Sequence, residues 1–79
     1  ISPLEIGIGV EGIQLVFKLG RRLDIGWKDV ISLQPYRAPD FYHLRYHRKG
    51  GATGICTISG EVANKIRHVW SNMTGYDLA

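Results

Sequence analysis

Cysteine is nearly missing from this sequence of 79 residues, and long apolar runs are missing entirely. The single Cys56 has no partner for an internal disulfide, so a reducing compartment is expected. No stretch approaches the roughly 20 consecutive apolar residues that cross a bilayer, and the first residues lack the charged and apolar regions of a signal peptide. The expected location is therefore cytoplasmic, with association at a membrane surface left open.

Acidic residues are few, and the length allows only a small core. Seven Asp and Glu against ten Lys and Arg give a formal net charge of +3, which favours anionic partners without requiring one. A chain this short has room for one domain. Since the sequence starts at Ile1 instead of Met, we expect a single domain over residues 1–79 that was excised from a longer protein.

Residue sets for catalysis, metal binding or a cofactor are also missing, so we expect no enzyme activity and no cofactor. Cys56 lies in an apolar, β-branched stretch and is expected to be a small buried hydrophobe. His43 and His47 stand roughly 13 Å apart along a strand, which is too far for one metal ion. The Gly-x-Gly-x-x-Gly pattern at residues 7–12 is followed by a β-rich segment where a dinucleotide loop needs a helix, so it indicates strand curvature and a hairpin.

Alternating apolar residues and turn signals predict six short strands followed by one helix. The predicted strands cover residues 4–10, 13–17, 23–27, 30–34, 41–48 and 53–58. After Ser59 the period changes to that of a helix, with Ser59 as N-cap and Gly75 as the stop, so a helix is predicted from Gly60 to Thr74. We therefore expect an α+β fold: a bent antiparallel β-sheet or barrel of six to seven strands, capped by one C-terminal α-helix.

The order of these elements, with the corner Leu23-Asp24-Ile25-Gly26-Trp27-Lys28-Asp29-Val30 between the third and fourth strands, resembles the PH-like superfold. Two kinds of PH-like domain share these features. The F3 lobe of FERM domains, with the related PTB domains, has a similar Trp-containing corner and a final helix with a Trp in its second half, as at Trp70. Small bacterial PH domains have a similar arginine-containing turn, as at Gly20-Arg21-Arg22.

The resemblance to F3 lobes and PTB domains implies a non-catalytic protein-interaction module, such as the F3 lobe of a membrane-cytoskeleton adaptor. A peptide would then bind by strand addition in a groove between the fifth strand and the C-terminal helix. One face of the fifth strand is basic and partly aromatic. The implied binding residues are Phe41, His43, Arg45 and His47 on the strand, with Asn64, Lys65 and His68 on the helix.

Two alternatives use other chemistry. A bacterial PH-like domain would contact anionic lipid, or oligomerise at the membrane, through Lys18, Arg21, Arg22 and Lys28. The phosphoinositide contacts of other PH domains come from a basic loop between the first two strands, which here is Glu11-Gly12 and carries no positive charge. A third alternative is weak nucleic-acid binding on the basic face of the fifth strand, with Phe41 as the stacking residue.

Overall fold

A computed structural model describes residues 2–78 of the chain. It contains six strands and one α-helix, with single 3-10 turns at Lys18–Gly20, Trp27–Asp29 and Lys49–Gly51. The strands are β1 (Glu5–Ile8), β2 (Gly12–Val16), β3 (Arg22–Gly26), β4 (Val30–Arg37), β5 (Phe41–His47) and β6 (Thr53–Ser59), and the helix is α1 (Gly60–Thr74).

The strands form two three-stranded antiparallel sheets, a first sheet in the order β1-β2-β3 and a second in the order β4-β5-β6. The α+β class is confirmed. The expectation of one bent sheet or one closed barrel of six to seven strands is wrong, because within residues 2–78 no ladder joins the two sheets. The 3-10 turn at Trp27–Asp29 interrupts the extended chain between β3 and β4, so these two strands are not continuous, and they belong to different sheets.

In the first sheet, β2 is the central strand and alternates between core and solvent. Ile13 and Leu15 are buried, while Gln14 between them is exposed. Gly12 pairs with Gly26, and its φ of 155° lies in a region that L side chains rarely adopt. A Cβ at position 12 would overlap the carbonyl oxygen of Ile25, so only glycine allows the strands to approach this closely.

In the second sheet, β4 continues beyond the predicted end at Gln34 and reaches Arg37. β4 is an edge strand, and its register with β5 shifts between Val30 and Ser32 and again between Pro35 and Arg37. An edge strand needs ladder hydrogen bonds on one side only, and bulges relax the pairing further, so β4 accommodates Pro35.

The helix has the predicted bounds, because both of its ends are determined locally. The Ser59 hydroxyl accepts a hydrogen bond from the Val62 amide at 3.2 Å. Gly75 adopts the left-handed conformation and donates its N–H to the Ser71 carbonyl at 2.8 Å. Ala63 and Ile66 are buried, and the face of α1 on which they lie packs against the core sides of β5 and β6.

Trp27 joins the corner between the sheets to the rest of the core, as its apolar setting predicts. Its ring is 7% exposed, and its Nε1–H donates to the Gly9 carbonyl at 2.9 Å. The Trp70 ring of α1 meets it edge-on, with ring centroids 6.4 Å apart. Trp27 thereby connects the β1–β2 turn, the corner and the helix.

Candidate functional site

The outward side of the second sheet contains the strand residues that the sequence singled out. On β5, Leu44 and Tyr46 face the core, while His43 and Arg45 face the opposite way, so the predicted alternation is confirmed. The register brings Gln34 and Ser32 of β4 beside them on the same side. We call this surface the outer face, and its main members are Ser32, Gln34, Tyr36, Phe41, His43, Arg45, His47, Ile55 and Thr57.

An aromatic stack organises one end of the outer face. The Tyr36 ring stacks on His43 with centroids 4.4 Å apart and an interplanar angle of 16°. The guanidinium carbon of Arg37 lies 5.3 Å from the centroid of the Tyr36 ring, within the range of a cation–π contact. The sequence reading missed Tyr36 and Arg37, because Pro35 signals the end of a strand and both residues come after it.

Arg45 and Ser32 form a second polar pair on the outer face. They are cross-strand partners, and the Arg45 Nε and the Ser32 Oγ are both buried without a hydrogen-bond partner among residues 2–78. Ser32 is 9% exposed although it lies on the outward side of the sheet. The two groups therefore have unused hydrogen-bonding capacity beside an accessible surface.

The outer face has positive charge and no negative charge of its own. The residues of β4, β5 and β6 include Arg37 and Arg45 but no Asp or Glu, and Asp40 in the β4–β5 turn is the one acidic residue between positions 30 and 59. Large apolar side chains accompany the charge, since Tyr36 is 49%, Phe41 45% and Ile55 50% exposed. Such a surface favours partners that combine carboxylates with apolar groups.

The expected groove between β5 and the helix is not assembled. The helix packs on the core side of the second sheet with Leu44, whereas His43, Arg45 and His47 occupy the other side. The exposed Asn64, Lys65 and His68 belong to the solvent side of α1. There the Lys65 Nζ lies 3.9 Å from the Glu61 Oε1, and the Asn64 Oδ1 accepts a hydrogen bond from the Arg67 Nη1 at 3.1 Å.

Strand addition along the fifth strand is excluded by the sheet order. β5 is the middle strand, and it pairs with β4 along one edge and with β6 along the other. Strand addition needs a row of free backbone donors and acceptors, which a central strand does not have. The prediction of strand addition at β5 is therefore wrong. The outward side chains of β5 remain accessible to a partner.

The four cations of the lipid alternative lie at two separate ends of the first sheet. Lys18, Arg21 and Arg22 precede β3 or begin it, while Lys28 follows its other end, so a strand of roughly 13 Å separates them. The first three line an open cleft of about 620 Å³ together with Arg48, which the sequence reading missed. Lys28 does not line this cleft, so the prediction that these four cations form one contact surface is wrong for Lys28.

Cys56 is buried on the core side of β6, as expected of a small hydrophobe, with 1% of its surface exposed. Burial raises the pKa of its thiol to about 11. A thiol that stays protonated is a poor nucleophile. Among residues 2–78, moreover, no three His, Cys, Asp or Glu side chains are grouped as a metal site would require.

The glycine-rich segment at residues 7–12 lines a shallow hollow of about 710 Å³ beside Asp24 and Gly26. Gly12 opens β2, so a strand follows the pattern, as predicted, where a dinucleotide loop needs a helix. Within the described part of the chain, no helix is both long and apolar enough to cross a membrane.

Comparison of the chain with protein-family models, with curated proteins and with solved structures finds no match.

Proposed function

We propose that this chain is a non-catalytic protein-interaction module that binds an acidic segment of a partner protein on the outer face. The observation that carries the proposal is the composition of that face. Half-exposed Tyr36, Phe41 and Ile55 lie among cationic side chains on three strands that have no carboxylate. Because α1 covers only the core side of the second sheet, the outer face is free to receive a partner.

Aromatic and arginine side chains are the residues that most often dominate binding energy at protein interfaces. Phe41 and Tyr36 supply apolar contact area, and the stack of Tyr36 on His43 fixes both rings before a partner arrives. A preformed surface loses less conformational entropy on binding than a mobile one. The partner would lie across the strands and contact side chains, since the backbone of β5 is already paired.

We further propose that the chain is a PH-like domain, of the kind found as the F3 lobe of a membrane-cytoskeleton adaptor. Two successive three-stranded antiparallel sheets followed by a C-terminal helix support a PH-like architecture. The Trp27 corner between the sheets and Trp70 in the helix support it as well, since their rings pack together.

Selection of binding peptides tests the proposal. A displayed library of random peptides is selected on the immobilised chain, and the strongest binder becomes the probe for Phe41→Ser and His47→Glu. We expect selected sequences rich in Asp or Glu with an apolar residue nearby. Each variant should weaken binding about tenfold or more, because one loses an aromatic contact and the other introduces a repelling charge.

The matched control is Val10→Ser, which removes an exposed apolar side chain in the β1–β2 turn of the first sheet. Wild-type binding by Val10→Ser together with weakened binding by Phe41→Ser supports the outer face. Equal binding by all variants refutes the proposal. Tight binding of oligo(dT) that falls steeply with added salt, without selection of acidic peptides, would replace it with the nucleic-acid alternative.

A further inference from the structure

The turn between β2 and β3 presents an apolar side chain to solvent in a strained conformation. Leu19 has a φ of 63° and a ψ of 25°, the left-handed region that glycine and asparagine favour. Its side chain is 100% exposed, more than that of any other large apolar residue in the described chain. The fold therefore holds a leucine outward at a position where a small or polar residue would be less strained.

Cations surround this leucine. Lys18 precedes it and Arg21 and Arg22 follow closely. All three line the same open cleft as Arg48, which directly follows β5. Leu4, also at the cleft, is 64% exposed. None of the described residues that line the cleft is acidic. Exposed apolar groups and unopposed positive charge thus occur together at one end of the molecule.

We infer that this end, formed by Leu4, Lys18, Leu19, Arg21, Arg22 and Arg48, docks on an anionic membrane surface. Leu19 would enter the boundary between headgroups and acyl chains, while the four cations contact lipid phosphates and carboxylates. The inference rests on other residues than the proposed function does, because Ile55 is the one member of the outer face that also lines this cleft.

The placement of Leu19 favours a membrane over a soluble anion. A soluble anion needs the cations, and it gains nothing from the Leu19 side chain, which borders the cleft but is fully exposed to solvent. A lipid surface offers negative charge and an apolar layer within the same few ångströms, which matches both features of this end. Each cation near such a surface strengthens binding about fivefold, so the four together give a substantial attraction.

Co-sedimentation with lipid vesicles tests the inference. The chain is mixed with vesicles of phosphatidylcholine alone and with vesicles of equal parts phosphatidylcholine and phosphatidylserine. Leu19→Asn replaces the apolar side chain with a polar one, and asparagine tolerates the left-handed conformation. The variant should therefore unfold at the same temperature as the wild type or at a higher one. The double variant R21Q/R22Q removes two of the cations.

The controls are Val10→Asn, an apolar residue 81% exposed at the opposite end of β2, and Lys28→Gln, a cation at the opposite end of β3. We expect the wild type to sediment with the anionic vesicles only. Binding should fall about tenfold in Leu19→Asn and about 25-fold in R21Q/R22Q. Both controls should bind as the wild type does.

Several results would overturn the inference. These are no sedimentation with anionic vesicles, equal sedimentation with both vesicle types, and wild-type binding by Leu19→Asn. Soluble glycerophosphoserine provides a further arm. If the wild type and Leu19→Asn bind it equally and as tightly as they bind vesicles, the cleft is a site for a soluble anion and the membrane assignment fails.

Discussion

The ring of Tyr46 lies over Gly54, its cross-strand partner on β6, and leaves no space for a side chain at position 54. Tyr46 is 6% exposed and faces the core, so its ring fills the volume that a larger residue on β6 would otherwise occupy. Burial also raises the pKa of the Tyr46 phenol. Tyr46 and Gly54 thus pack on the core side of the second sheet, opposite the outer face.

Gly54→Ala should therefore destabilise the fold, because the new Cβ would collide with the Tyr46 ring. Overpacking of this kind costs about 1–3 kcal/mol in the free energy of unfolding. Urea denaturation followed by tryptophan fluorescence measures the loss. Gly9→Ala is the control, since a Cβ at position 9 meets nothing within 4 Å and should change stability by less than about 0.5 kcal/mol. Equal effects of the two substitutions would contradict this packing.

The same substitution should have different effects at two serines. Ser59→Ala removes the hydroxyl that caps α1 and should cost about 1 kcal/mol. Ser32→Ala removes a buried hydroxyl without a partner in the described structure, so stability should stay constant or rise. Thermal unfolding of both variants checks the difference, and a larger loss at Ser32 than at Ser59 would show that the Ser32 hydroxyl is bonded.

The sequence predicted the elements whose signals are local. The Ser59 cap and Gly75 defined the helix, and the alternation of β5 separated Leu44 from His43 and Arg45. Each strand was placed within a few residues, except that β4 runs on past Pro35.

Long-range pairing decided the features that the sequence reading missed. That β5 is a central strand depends on β4 and β6 both joining it, and no local pattern in residues 41–47 reports its neighbours. The stack of Tyr36 on His43 depends on the register across a bulge. Likewise, Lys18 and Lys28 are near in sequence but lie beyond opposite ends of a strand.

Alkaline pH should weaken the fold through buried groups that must lose protons. Burial raises the pKa of Cys56 from 9.0 to about 11, so the folded chain holds the thiol proton more tightly than the unfolded chain does. The stabilisation is complete below about pH 9 and is lost as the pH rises toward 11.

In Cys56→Val the free energy of unfolding should decline less over this range, by about 2 kcal/mol. The remaining decline should include the contribution of Tyr46, whose pKa is also raised by burial. Urea denaturation at about pH 8, below both pKa values of the thiol, and at about pH 10.5, between them, makes the comparison. Identical declines for wild type and variant would show that the thiol does not titrate with folding.

Trp27→Phe should loosen the junction between the two sheets. The variant keeps an aromatic ring but loses the hydrogen bond from Nε1 to the Gly9 carbonyl, and we expect a loss of about 1–2 kcal/mol. Amide hydrogen exchange should speed up most in the β1–β2 turn, where Gly9 lies. Unchanged exchange in that turn would mean that the hydrogen bond does not hold it.

The most direct test of the interaction surface is a map of amide chemical shifts during titration with the selected acidic peptide. We expect the largest shifts at Phe41, His43 and Arg45 and at their neighbours on β4 and β6. The amides of Asn64, Lys65 and His68 should stay unchanged, because the helix lies on the other side of the second sheet. Shifts concentrated on that helix, with none on the outer face, would show that the peptide does not bind on the outer face.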